Sequence, residues 1–267
     1  MPDFTRLDQL KARRPLIHCI ANMVTAGDCA NLLLAAGASP VMAIAPNEAA
    51  EITAASQATV INTGTPNHEK FQACLRWGQA ASAAGQPIVL DPVGIGASRW
   101  RLQSVQALLH IFTPAILRVN LGEALALLQK SGAEQGVDSL DSISSEERIQ
   151  AAKALAQHRH TTVLLSGPTD LITDGSTVWA VSGGSSRMAR ITGAGCMLSC
   201  LCGAFAAVEP SSTEAALLAS CFWKVCSQRA EEAACGKGNG TYHMALMDAA
   251  SMLTASELAA EARWEIL

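Results

Sequence analysis

The run Thr192-Gly193-Ala194-Gly195-Cys196 lies between a strand-like segment and a small apolar helix. Its two glycines let the backbone approach a ligand closely and leave free N–H groups at a helix start, a ready site for phosphate or a developing oxyanion. Cys196 follows at once, where the same terminus could activate it as a thiolate. An anion cradle beside such a side chain points to group transfer, while turns of this kind also serve simply to start helices. Two carboxylates and a cation extend the pattern. Asp91 and Glu123 are hard oxygen donors of the kind that suit a hydrated Mg²⁺ bridging to phosphate, and Arg118 could neutralise phosphate charge. Each also has a plainer reading. Asp91 before Pro92 is a good turn former, and Asn120 with Glu123 has capping-box spacing.

These residues are meaningful because of where the elements put them. Short apolar runs at 41–44, 59–62, 87–91, 115–120 and 161–165 alternate with helical patterns at 22–36, 67–84, 121–130 and 145–158. Continuous apolar strands separated by helices predict a mainly parallel sheet covered on both faces. Ligands of such sheets bind beyond the carboxyl ends of the strands. Read off there, the strands deliver Asn62-Thr63-Gly64, Asp91-Pro92-Val93-Gly94, Asn120-Leu121-Gly122-Glu123 and Ser166-Gly167 to one edge. Residues 170–175 and 177–181 predict a hairpin with Asp174-Gly175 in its turn. Helices are expected at 196–208, 213–235 and 243–255, with His243 opening the last, and 131–147 reads as a polar surface excursion. Nothing resembles a domain boundary, so one domain over 1–267 is expected.

Composition narrows the function classes. The chain has 267 residues, 49% hydrophobic but only 16% charged and 4% aromatic, so aliphatic side chains must fill the core and some surface is expected to be buried between subunits. A net charge of −4 without a basic run argues against nucleic acid. The N-terminal residues lack a signal-peptide layout, and the apolar stretch from Leu32 to Ala45, broken by Gly37 and Pro40, is too short to span a bilayer. A cytoplasmic location is the expectation. The nine cysteines show no Cys-x-x-Cys pair and no matching histidine spacing, so most should be small buried hydrophobes. Gly94-Ile95-Gly96-Ala97-Ser98-Arg99 lacks the last glycine and the later acidic residue of a dinucleotide fingerprint, and there is no Walker A string. The histidines, without neighbouring acids, read as structural.

Taken in order, several strings resemble the thiazole kinases of the ribokinase-like superfamily. They are Pro15-Leu16-Ile17-His18-Cys19-Ile20-Ala21-Asn22, Ala30-Asn31, Gly37-Ala38-Ser39-Pro40-Val41-Met42, Leu90-Asp91-Pro92-Val93-Gly94, Arg118-Val119-Asn120-Leu121-Gly122-Glu123 and Gly193-Ala194-Gly195-Cys196. The resemblance implies a three-layer α/β/α fold without a separate lid domain, and ATP- and Mg²⁺-dependent phosphorylation of the primary alcohol of 4-methyl-5-(2-hydroxyethyl)thiazole. It implies substrate contacts at Asn22, Met42 and Gly193, ATP contacts at Arg118, Ser166 and Gly195, Mg²⁺–phosphate contacts at Asp91 and Glu123, and Cys196 where the superfamily keeps its catalytic base. It also implies trimers with active sites between subunits.

The chain departs from that family at Ala21, where Thr is usual, at Val119, where Gly is usual, and at Pro168, where a glutamate near the nucleotide is typical. Three alternatives therefore stand beside the thiazole reading. One is a related kinase for another small vitamin or sugar alcohol. Another is a cysteine hydrolase or acyltransferase, which would need a partnered base; a binding protein that has lost catalysis is the third.

Overall fold

In the computed structural model, which describes residues 1–128 and 144–267, nine strands form one sheet. The chain begins with α1 (Arg6–Arg13), β1 (Leu16–Ile20), α2 (Ala26–Ala36), β2 (Ser39–Val41), α3 (Ala49–Ala55), β3 (Ala58–Asn62) and α4 (His68–Ala83). It continues through β4 (Ile88–Asp91), α5 (Arg99–Ile111), β5 (Ile116–Val119), α6 (Leu121–Leu127), α7 (Ser145–Arg159) and β6 (Thr162–Leu165). After these come β7 (Asp170–Thr173), β8 (Val178–Ser182), α8 (Ala194–Ala206), α9 (Ser212–Ala233), α10 (Asn239–Met252), α11 (Ala255–Glu261) and β9 (Arg263–Ile266). The strand order is β2-β1-β3-β4-β5-β6-β7-β8-β9. Pairing is parallel from β2 to β6 and antiparallel from β6 to β9. The mainly parallel sheet expected from the apolar runs is thus present.

Alternate residues of each strand face opposite layers. Val89, Ile116 and Leu164 join a core with α1, α2 and α8 to α11, while Leu90, Leu117, Val163 and Leu165 join a second core with α4 to α7. Strands buried on both faces are apolar along most of their length, with His18 in β1 and Arg118 in β5 as exceptions. That is why they stood out in the sequence and why polar residues mark their ends.

The differences from expectation are local. β2 starts at Ser39 and ends at Val41, the first residue of the run expected at 41–44, and a 3-10 turn follows from Pro46. α2 starts only at Ala26, since residues 21–25 form a turned loop. The glycine-rich run after β4 becomes a single 3-10 turn and the Ser98 cap of α5, a helix the sequence reading did not assign. His243 lies inside α10 rather than opening it, and α11 and β9 follow. The 170–175/177–181 hairpin forms as β7 and β8, with Gly175 at φ +97° in the turn. Most of the 131–147 excursion and the expected end of the 121–130 helix lie outside the described residues. Eight cysteines are buried, but Cys235 is exposed.

His18 shows how fully the β1 layer is closed. It is 0% exposed, stacks on Trp77 with ring centroids 3.8 Å apart, and its Nε2 lies 2.9 Å from the Ala43 carbonyl. Its Nδ1 has no partner among the described residues. Burial pushes its pKa down from 6.5 to about 4, against the opposing pull of the Ala43 carbonyl. Between those values the unfolded chain binds a proton that the native state refuses, so this contribution to stability is complete above about pH 6.5 and is lost as the pH falls towards 4. Urea unfolding at pH 7.5 and 4.5 should show wild type losing about 2 kcal/mol more than His18→Phe, which keeps the stack but cannot titrate. Equal losses would contradict this.

Candidate active site

The carboxyl ends of β3, β4 and β5 meet the start of α8 around Asp91, which is 0% exposed. Its Oδ2 accepts hydrogen bonds from Asn62 Nδ2 and Ser199 Oγ, both at 2.8 Å, and its Oδ1 lies 3.4 Å from the Arg118 guanidinium. Arg118 in turn donates to Ser166 Oγ at 2.6 Å. Its Nε is buried and has no partner among the described residues. An arginine with donors to spare on a cavity wall suits an anionic acceptor that a ligand would bring.

The cradle is built as its glycines require. Gly193 caps α8 at φ +86°, and a Cβ there would stand 2.5 Å from Thr25 Cγ2. A Cβ on Gly195 would stand 2.5 Å from the Arg118 guanidinium, so only glycine lets the cation lie against the helix start. The first turn of α8 leaves its amides without intrahelical acceptors, and the macrodipole adds positive potential there. Ser199, one turn on, bonds both the Gly195 carbonyl at 3.1 Å and Asp91, which locks the helix start to β4.

Glu123 does serve as a capping residue. Its Oε2 accepts from Asn120 N and Asn120 Oδ1 accepts from Glu123 N, each at 2.9 Å. Its Oε1 also accepts from Gly94 N at 2.9 Å, which ties the loop after Asp91 to the start of α6. Burial pushes the Glu123 carboxyl up; Arg118 and the two backbone N–H groups oppose this, and Asp91 adds to it. A buried carboxyl raised in this way is a group that an added cation would stabilise. Among the described residues no group of three or more histidine, cysteine or carboxylate side chains is placed to cage a metal. The lone pairs left on Asp91 and Glu123 fit a hydrated ion carried in on phosphates better than a resident one.

Cys196 is 8% exposed, and burial, with the nearby Asp91 carboxylate, pushes its thiol up, against hydrogen bonds from Thr25 and Asn62. The helix terminus therefore does not make it a thiolate. Among the described residues no histidine hydrogen-bonds to its Sγ, so the partnered base that a cysteine hydrolase needs is missing from this site.

A cavity of about 760 Å³ opens beside the cradle, between Arg118, Ser166, Pro168 and Gly195 on one side and Met188 and Trp223 on the other. Lys224 and Asp170 also line it, and neither was singled out in the sequence. Lys224 Nζ donates to the carbonyls of Gly167 at 2.8 Å and Pro168 at 2.9 Å and lies 3.4 Å from Asp170 Oδ1. Asp170 also accepts from Gly167 N and Ser220 Oγ, both at 2.8 Å, so the turn that carries Ser166 is held from three directions. The one signal for Lys224 is a lone cation in an apolar stretch of α9.

Of the residues marked in the sequence, Asp91, Arg118, Glu123, Ser166, Gly193, Gly195 and Cys196 are thus gathered at one edge. Asn22 joins them through the loop after β3: a Cβ on Gly64 would be 2.5 Å from Asn22 Nδ2 and 3.0 Å from Asn62 Oδ1. Met42 stands apart, half-buried against the core at the end of the outermost strand, β2.

This parallel sheet, with an anion cradle on its carboxyl edge and no P-loop, has the ribokinase-like kinase fold. A pyridoxal kinase from Staphylococcus aureus, solved with AMP-PCP, shares it at TM-score 0.60 and 18% identity over 80% of this chain and 88% of that one. A hydroxyethylthiazole kinase protein from Pyrococcus horikoshii superposes at TM-score 0.89 with 33% identity over 99% and 98% of the two chains. A hydroxyethylthiazole kinase from Ruminiclostridium cellulolyticum is 38% identical over 97% of this chain and 96% of its own length. The model of the hydroxyethylthiazole kinase family matches residues 7–256. The chain belongs to that family and is an enzyme of the kinase class.

Gly195→Ala should raise the KM for the nucleotide at least about tenfold by pushing the Arg118 guanidinium off the helix start, with little change in melting temperature. An unchanged KM would show that Arg118 does not act from this position.

Proposed function

We propose that this chain transfers the terminal phosphoryl group of ATP to the primary alcohol of 4-methyl-5-(2-hydroxyethyl)thiazole, giving the phosphate ester and ADP in thiamine salvage. The observation that carries this reading is the Arg118 guanidinium, its Nε without a partner among the described residues, lying against Gly195 at the start of α8 on the wall of a nucleotide-sized cavity. Phosphoryl transfer needs little covalent help from a protein, so positioning and charge stabilisation carry most of the rate.

ATP takes the cavity, its phosphates directed at Arg118, Ser166 and the amides around Gly195. The alcohol takes the side bounded by Asn22 and Gly193, with its hydroxyl next to Cys196. Because the thiol is held protonated, Cys196 orients the hydroxyl, and its proton passes to a phosphate oxygen or to water. Asp91 and Glu123 would hold Mg²⁺ through its waters, and the ion would supply neutralisation of phosphate charge. Pro168 removes a carboxylate from the nucleotide side, and the Lys224–Asp170 pair shapes that turn instead. We read the chain as one domain acting in the cytoplasm. Among the described residues no helix is long and apolar enough to cross a membrane, which agrees with this. A homotrimer with shared active sites is supported by Met23 at 83% and Val24 at 65% exposure, directly beside Asn22.

An ADP-release assay with ATP–Mg²⁺ and a panel of vitamin and sugar alcohols tests the reading. The thiazole should give the highest kcat/KM; turnover of another alcohol but not of the thiazole would overturn the substrate while leaving the class intact. In the same assay Cys196→Ala should lose less than about tenfold in kcat, whereas a loss nearer 10³-fold would make Cys196 an essential base.

A further inference from the structure

Lys70 is a buried cation that the catalytic account above does not use. It is 5% exposed and lies in the first turn of α4, where Asn67 Oδ1 caps its backbone N–H at 2.7 Å. Two costs meet there. Burial disfavours an ammonium, and a helix N-terminus repels positive charge. Its Nζ donates to the Ala21 carbonyl at 2.8 Å and to the Gly64 carbonyl at 2.5 Å. Those two carbonyls belong to different loops, after β1 and after β3. Both are adjacent to Asn22: Ala21 precedes it, and the Gly64 Cα faces its side chain so closely that a Cβ would collide. The Thr65 hydroxyl adds a second stitch by accepting from Met23 N at 3.2 Å, and Thr65 is held at φ +47°, a conformation a β-branched residue rarely adopts. Asn62, at the base of the same loop, bonds Asp91. Lys70 also lies close enough for its charge to interact with Cys196 and Asp91.

We infer that Lys70 is a positioning residue for the acceptor alcohol: by holding the Ala21 and Gly64 carbonyls together it fixes the Asn22 side chain against Gly64, next to Asn62. Its position explains why a helix would carry a buried cation in its first turn. A structural cation with no such role could be replaced by an apolar chain of equal length at little cost to function. A positioning cation could not, because the two loops would lose their common partner. The effect should also be confined to the alcohol side, since among the described residues none of the hydrogen-bond partners of Lys70 lines the cavity.

The inference rests on the kinase reading for its activity assay, so a measurement free of substrate accompanies it. In Lys70→Met the KM for the alcohol should rise about tenfold or more, while the KM for ATP stays within about twofold; Lys70→Arg, which keeps charge and donors, should recover most of the difference. Hydrogen exchange of backbone amides in 21–25 and 63–66 should quicken in Lys70→Met, with 183–191 unchanged. Should Lys70→Met fail to fold, Thr65→Val removes the second stitch at an accessible loop and should raise the alcohol KM about threefold with the ATP KM unmoved. Unchanged exchange in the two loops, or a parallel rise in both KM values, would overturn the role of Lys70. A wild type that exchanges as described in these comparisons but does not phosphorylate the thiazole would instead overturn the substrate assignment.

Discussion

The site depends on the burial of one carboxylate. Asp91 is fully enclosed, and a lone buried carboxylate would cost several kcal/mol. It is held by Asn62 from β3, Arg118 from β5 and Ser199 from α8. Each partner is fixed in turn: Asn62 shapes the loop against Asn22, Arg118 reaches Ser166, and Ser199 sets the angle at which α8 presents its first turn. Satisfying one charge therefore aligns three strand ends with the helix that supplies the free amides. The glycines at 193 and 195 complete the constraint, because the helix start can approach Thr25 and Arg118 only where side chains are absent.

The same enclosure sets the chemistry. With little water near Asp91, Arg118 and the helix terminus, their fields act at full strength on an anion that enters. Burial that strengthens those interactions also keeps the Cys196 thiol protonated and raises Glu123. The site is thus poised to receive negative charge on phosphates rather than to create it on sulfur. That is the physical reason for preferring phosphoryl transfer over covalent cysteine chemistry.

Much of this was legible in the sequence, for a specific reason. Strands covered on both faces are largely apolar runs, so Asn62, Asp91, Asn120 and Ser166 stood out where the runs stop, and the Gly193–Cys196 turn stood out by its glycines. Glu123 carried two readings at once, cap and site, and the structure gives it the cap bonds within the site. Lys70, Ser199, Asp170 and Lys224 were not legible. They lie within helices or at a strand start, where a polar residue ordinarily marks a solvated face, and only tertiary packing turns them inward. α5 was not legible because it buries only Val105 and Leu108 and so carries no continuous apolar stripe. Met42 was marked through family resemblance alone, and its half-buried place at the sheet edge makes no described link to the Asp91 cluster.

If Asp91 and Arg118 work as one unit, their removal should not add. The direct measurement is ATP-dependent turnover by Asp91→Asn, Arg118→Met and the double variant, compared as kcat/KM for ATP. The account predicts that the double variant is no worse than the poorer single within about threefold, as expected for residues sharing one interaction. Losses that multiply would mean that the two side chains act independently, and that the buried carboxylate does not organise the site.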